Sequence, residues 1–282
     1  MSEEATVLTD EADGVLVITI NRPQAKNAVN RAVAEGIAAA LERLDSDDTL
    51  RVGILTGAGG TFCAGMDLKA FVSGEFPQIE GRGFGGMTER SADKPLIAAV
   101  EGYALAGGCE LAIACDLIIA AENAKFGIPE VKRGLVAAAG GLVRLPSQIP
   151  YRVAMELALT GEFMDADRAM AMGLINQLTT PGEALATARA LAAQIAENGP
   201  LAVKVSKAII KASRDWTDDE AFTKQHALTQ LVFTSEDAIE GATAFAEKRK
   251  PQWKGRLFWQ SGNMNQSALM WGWLIFDSGD KG

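Results

Sequence analysis

Residues 104–112 read ALAGGCELA, and two features of this stretch do not fit an ordinary helix or strand. A glycine pair, Gly107 and Gly108, interrupts residues that favour helix, and a lone carboxylate, Glu110, follows among Cys, Leu and Ala. Burying a glutamate is unfavourable unless neighbouring groups hydrogen-bond it or use it. The stretch follows the apolar run PLIAAVEG and precedes CDLIIAAENAKFG, both of which read as strand. It is therefore predicted to be a strand-to-helix turn whose helix begins near Gly107. Helix N-termini present unpaired N–H groups with partial positive charge, and glycine lets a ligand approach them closely. Alone, the turn fits tight strand-to-helix packing better than it fits an oxyanion site.

Outward from this stretch, the chain alternates strands and helices. GVLVITINRP (14–23) reads as a buried strand stopped by Pro23, AVAEGIAAALERLDSD (32–47) as an amphipathic helix, and RVGILTG (51–57) as a second strand. That order indicates an α/β fold. Between Leu68 and Lys94 the pattern dissolves into SGEFPQIEGRGFGGM, expected to be a mobile connection, with a substrate lid as the alternative. From Asp165 onward helices dominate. Asp165 is a candidate N-cap, Pro200 suits a first helical turn, and Thr217–Glu220 fits a capping box. Three regions are expected: a core over 1–198, a helical region over 199–256 that packs on a neighbouring subunit, and an atypical tail over 257–282.

Composition narrows the chemistry. A formal charge of −9 opposes nucleic-acid binding, and no apolar run is long enough to span a bilayer. The acidic start lacks the apolar core of a signal peptide, so a cytoplasmic location is expected. The three cysteines, Cys63, Cys109 and Cys115, are odd in number and lack C-x-x-C spacing, which reads as free thiols. With His226 the only histidine, most Ser-His-Asp, Cys-His and zinc chemistry is excluded, and no metal site is expected. Acid–base work falls to carboxylates. Glu110, one turn into the predicted helix, and Glu130, in KFGIPE, are the candidates: flanking an oxyanion-binding turn, they would supply a general acid and a general base.

Taken together, these motifs resemble the crotonase (enoyl-CoA hydratase/isomerase) superfamily. NRPQAKNAVN (21–30) is similar to its first CoA-contacting turn and FCAGMDL (62–68) to its first oxyanion turn. IAAVEGYALAGGCELAIACDLIIA (97–120), AKFGIPEVKRGLVAAAGG (124–141) and MELALTGEFMDADRAMAMGLIN (155–176) continue the resemblance in order. It implies a spiral of repeated ββα units, C-terminal helices that build a homotrimer or dimer of trimers, and an acyl-CoA substrate, with no separate cofactor. By position it implies Met66 and Gly107 as oxyanion donors, Glu110 and Glu130 as catalytic acids, and Arg22, Lys26, Ala64, Asp67 and Leu68 as CoA contacts. Members that are not hydratases often lack one of the two acids, so keeping both favours hydration of a 2-enoyl-CoA in fatty-acid or related acyl-CoA metabolism. Two departures lie near the acyl pocket: Ala106 replaces the first glycine of a usual triple, and Ala137 and Ala138 replace a proline and a glycine. The closing stretch SEDAIEGATAFAEKRKPQWKGR (235–256) is similar to crotonobetainyl-CoA hydratase, the alternative within the family, with an isomerase of the same fold as another.

Overall fold

A computed structural model describes residues 5–255; the expected tail over 257–282 lies outside them. The chain divides after Ala196 into two compact units.

The first unit opens with a hairpin, β1 (Val7–Ala12) and β2 (Val15–Ile20), in antiparallel register from Val7 opposite Ile20 to Ala12 opposite Val15. Asp13 and Gly14 both have positive φ, as a tight two-residue turn requires. Helix α1 (Arg31–Ser46) follows, capped by the Asn30 side chain accepting from Val33 N–H, and then β3 (Val52–Gly57). Next come the short helix α2 (Leu68–Val72) and a small hairpin, β4 (Gln78–Ile79) with β5 (Gly83–Phe84). β6 (Leu96–Val100), β7 (Tyr103–Leu105), α3 (Gly107–Ala114), β8 (Leu117–Ala121) and β9 (Lys125–Gly127) carry the chain to the site. The unit closes with α4 (Gly141–Gln148), α5 (Tyr151–Thr160), β10 (Met164–Asp165), α6 (Ala166–Ala171), β11 (Gln177–Thr179) and α7 (Ala184–Ala196).

The main sheet has the order β1-β2-β3-β6-β8-β11, parallel from β2 onward. Its inner strands β2, β3, β6 and β8 are apolar along nearly their whole length because both faces are covered, as parallel sheets require, whereas the edge strand β1 is largely exposed. Val15 and Val17 of β2, with Val52, Ile54, Ile97 and Ala99, pack against Ala184, Ala188 and Ala192 of α7. The alternate residues Leu16, Ile18 and Ile20 face the larger core with Ile37, Leu41 and Leu44 of α1. A second sheet, β10-β9-β7, pairs β7 with β9 in parallel.

Two expectations require correction. All of residues 82–88 are buried rather than part of a mobile connection: Phe84 is 5% and Met87 0% exposed, both inside the core. Asp165 stands at the N-terminus of α6, but its side chain pairs with Lys125 and makes no cap bond.

The second unit contains α8 (Pro200–Ala212), α9 (Asp218–Phe233) and α10 (Glu236–Glu247). Pro200 occupies the first turn of α8, and Thr217 and Glu220 form the capping box of α9. No residue of α9 is buried, and Phe222, Phe233, Ile239 and Phe245 are exposed. Residues 251–255 lie along α10, where the Asp237 carboxylate accepts from Lys254 and Gly255 N–H at 2.6 and 3.0 Å. No described helix is long and apolar enough to cross a membrane.

Candidate active site

The site forms where two glycine turns come side by side. After β3, residues 61–63 run along β7: Cys63 N–H donates to Tyr103 O at 2.8 Å, and Leu105 N–H donates to Cys63 O at 3.0 Å. β7 then turns directly into α3. The contact is too close for side chains: a Cβ on Gly108 would stand 2.0 Å from Cys63 O, and one on Gly107 would stand 2.4 Å from the Phe84 ring. Packing therefore demands both glycines, and a chemical use is compatible with the same demand. Ala106, just before them, holds φ +51° with ψ −128°, a conformation that a residue with a Cβ rarely adopts.

This arrangement exposes two amides to one cavity. Val29 N–H donates to Gly65 O at 2.8 Å, and Asp67 N–H donates to Val29 O at 2.9 Å. In such a parallel bridge the intervening residue, Met66, turns its own N–H to the opposite side. Gly107 is the first residue of α3, where N–H groups have no partner within the helix. Met66 and Gly107 both line a cavity of about 500 Å³, together with Lys26, Glu110 and Glu130.

The two carboxylates arrive from adjacent parallel strands. Ala106 N–H donates to Gly127 O at 2.9 Å, so α3, leaving β7, and the 3₁₀ turn Pro129–Arg133, leaving β9, start at one sheet edge. Ligands of α/β sheets bind at such carboxyl ends. Glu110 is 3% exposed, and its Oε1 accepts from Ala139 N–H at 2.7 Å and Gly141 N–H at 2.9 Å, at the start of α4. Burial pushes its carboxyl up to about 7; the amide of Gly141 opposes the rise and the charge of Glu130 adds to it. Burial also raises Glu130, against the pull of a backbone amide and of Arg133. Glu130 Oε2 is buried without a hydrogen-bond partner. An unsatisfied carboxylate oxygen in a cavity wall is costly for folding and available for chemistry.

The expected CoA contacts separate into two groups. Lys26, Ala64 and Leu68 line the cavity, and the Lys26 ammonium sits over the Tyr103 ring, 5.2 Å from its centroid. Arg22 and Asp67 are not among the lining residues. Instead they pair at 2.9 Å, with Arg22 also donating to Ala28 O at 2.6 Å, and Asp67 caps α2 by accepting from Lys69 and Ala70 N–H. Beside Arg22 sits Asn27, fully buried at φ +54°, accepting from Arg22 N–H and donating to Ala58 O and Thr61 O. Sequence reasoning passed over Asn27, although positive φ is several-fold enriched in asparagine. It also passed over the wall residues Phe84, Tyr103 and Arg133. Burial pushes the Cys63 and Cys109 thiols up to about 12, so both are inert. His226 is exposed on α9 beside Phe222. Among the described residues no three His, Cys, Asp or Glu side chains cluster as metal ligands.

Comparison with known proteins agrees with this geometry. The family model described as enoyl-CoA hydratase/isomerase matches residues 10–256. The crystal structure of an enoyl-CoA hydratase from Mycobacterium tuberculosis H37Rv superposes with a TM-score of 0.89 at 61% identity, covering 90% of this chain and all of that one. A carnitinyl-CoA dehydratase of Proteus mirabilis is 42% identical over 250 residues, 86% of this chain and 95% of that protein. The carnitinyl-CoA hydratase structure from Mycobacterium avium is 44% identical with a TM-score of 0.72, covering 90% of this chain and all of that one. With the matched residues spanning both glycine turns and both carboxylates, the chain belongs to the enoyl-CoA hydratase/isomerase family and has the crotonase fold.

Proposed function

We propose that the protein adds water across the 2,3-double bond of a 2-enoyl-CoA, a reversible hydro-lyase reaction. The reading is carried by one observation: two carboxylates with raised pKa line the same cavity as two outward-facing amides. The thioester oxygen sits between the Met66 and Gly107 N–H groups. Glu110 and Glu130 hold the water; one carboxylate takes its proton as oxygen bonds to the β-carbon. Electrons move onto the thioester oxygen, and the enolate collapses as Glu130 delivers a proton to the α-carbon. Two amide donors aimed at the developing charge are the largest single rate contribution, each worth roughly 3 kcal/mol. Because the carboxylates interact, they titrate as a pair. No cofactor is needed beyond the coenzyme A that the substrate carries.

Lys26 contacts the CoA phosphates, while Arg22 and Asp67 hold the turn that presents it. Ala64 and Leu68 flank the pantetheine path. The exposed apolar residues of α9 and α10 support assembly into a trimer or dimer of trimers, which sedimentation would resolve. A cytoplasmic place in fatty-acid or related acyl-CoA metabolism fits the substrate. Incubation with crotonyl-CoA should bleach the conjugated thioester absorbance; binding without turnover would overturn the hydratase reading. Lys26→Ala should raise KM several-fold at low salt and less at high salt. An unchanged KM at low salt would remove Lys26 from the CoA site.

A further inference from the structure

Charge is distributed unevenly around the cavity. Four charged side chains reach it: Lys26, Glu110, Glu130 and Arg133. Two are cations and two are carboxylates, and burial moves both carboxylates toward their neutral forms. The balance of charge in the wall is therefore biased toward positive.

Arg133 lines the cavity alongside Glu130. It shares the 3₁₀ turn Pro129–Arg133 with Glu130, three positions on, and in that geometry side chains three apart lie on the same side. Its neighbour Lys132 is tied to Glu162 at 2.6 Å. Among the described residues no carboxylate lies within ion-pair distance of Arg133. Aromatic rings are the other receptor for a cationic ligand, and the wall has several. The face of Tyr103 already carries the Lys26 ammonium, and Phe71 and Phe76 meet edge to face with centroids 5.4 Å apart.

We propose that Arg133 sets acyl-chain selectivity by charge: it favours uncharged or carboxylate-bearing 2-enoyl-CoA and disfavours an acyl chain bearing a quaternary ammonium. The proposal rests on the hydratase reading for where the acyl chain lies. At about 6 Å and an effective dielectric constant between 20 and 80, one charge changes the preference by a factor of roughly 3 to 100.

Three substrates differing at the γ-carbon test it: crotonyl-CoA, glutaconyl-CoA with a carboxylate, and crotonobetainyl-CoA with a trimethylammonium. The native enzyme should rank glutaconyl-CoA and crotonyl-CoA above crotonobetainyl-CoA in kcat/KM. Arg133→Met should shrink the anion-to-cation ratio about tenfold, and Arg133→Lys should keep it. In the native enzyme the same ratio should fall as salt rises. A ratio that Arg133→Met leaves unchanged would overturn the proposal, as would an equal rise of KM for all three substrates, which marks a CoA contact instead. If nothing is hydrated, calorimetric binding of butyryl-CoA and γ-butyrobetainyl-CoA still reads the selectivity. Retained charge preference would then support the proposal while the hydratase reading fails, and its absence would overturn both.

Discussion

The unit before Ala196 and the helical unit after it use polar groups in opposite ways. At the cavity, a carboxylate is buried in Glu110, a carboxylate oxygen of Glu130 lacks a partner, and Ala106 holds a positive φ. Each feature lowers stability. In the helical unit the polar groups close local bonds: Ser235 caps α10, Thr217 and Glu220 box α9, and Asp237 holds residues 254 and 255. The first unit carries strain where chemistry needs a prepared site; the second follows local rules. Substitutions should therefore trade activity against stability in the first and change stability alone in the second.

The largest expected effect comes from the carboxylates. Glu110→Gln and Glu130→Gln should each lower kcat by about 100-fold or more with KM little changed. The double variant should lose far less than the product of the two. Thermal unfolding on the same samples should show no loss for Glu110→Gln, since a buried charge is removed and the shape kept. Folded single variants with near-native kcat would end the comparison on its functional side.

Glu110 also ties stability to pH, in the direction opposite to the usual carboxylate. Its folded pKa of about 7 lies above the ordinary value of 4.5, so between the two the folded state holds a proton that the unfolded state has released. Stability from this group is complete below 4.5 and falls as pH rises toward 7, by at most about 1.4 kcal/mol per unit. Glu130 adds in the same direction, and Arg144 opposes it. Denaturant unfolding at pH 5 and pH 8 should show this slope, and Glu110→Gln should flatten it. An unaltered slope in the variant would mean that Glu110 is ionised at neutral pH like a surface acid.

The uneven legibility of the sequence has the same origin. Strands β2, β3, β6 and β8 were readable because a sheet covered on both faces needs apolar residues at nearly every position. The Thr217 capping box was readable because its partners lie three residues apart. Gly107, Gly108 and the two glutamates stood out as types at odds with their surroundings. Strand β1, VLTDEA, went unread because half of its residues disfavour strand, although Asp13-Gly14 before β2 is a hairpin signal. Residues 82–88 read as loop because their burial depends on Gly107 leaving room for Phe84, more than twenty positions away. Lys125 displaced the expected cap role of Asp165 through a partner forty residues distant. Local patterns reveal elements; the cavity wall is set by long-range contacts that no local pattern contains.

Ala106 offers a gain of stability where the other changes at the site cost activity. Glycine adopts φ +51° with ψ −128° without strain, so Ala106→Gly should release roughly 1–3 kcal/mol, less about 0.5–1 kcal/mol for the added freedom of the unfolded chain. A net gain of about 1 kcal/mol in urea unfolding is expected. Because the Gly107 amide follows directly, kcat should fall modestly as that donor loosens. A loss of stability would mean that the Ala106 methyl contributes more by packing than its backbone gives up.

The smallest effects belong to the helical unit, and their ranking tests whether local rules suffice there. Ser235 is fully buried, accepts from Ala238 N–H at 3.2 Å and donates to Val232 O at 2.6 Å, joining the end of α9 to the start of α10. Ser235→Ala removes both bonds and leaves a buried amide without its cap, for a loss of about 1–2 kcal/mol. Thr217 serves α9 in solvent, where water replaces a lost cap, so Thr217→Ala should lower Tm by only a degree or two. Neither residue touches the cavity, so kcat per folded molecule should stay at the native level for both. If Thr217→Ala proved as damaging as Ser235→Ala, burial would not govern cap strength in this unit. A fall in kcat for either folded variant would show that these helices carry part of the site's geometry.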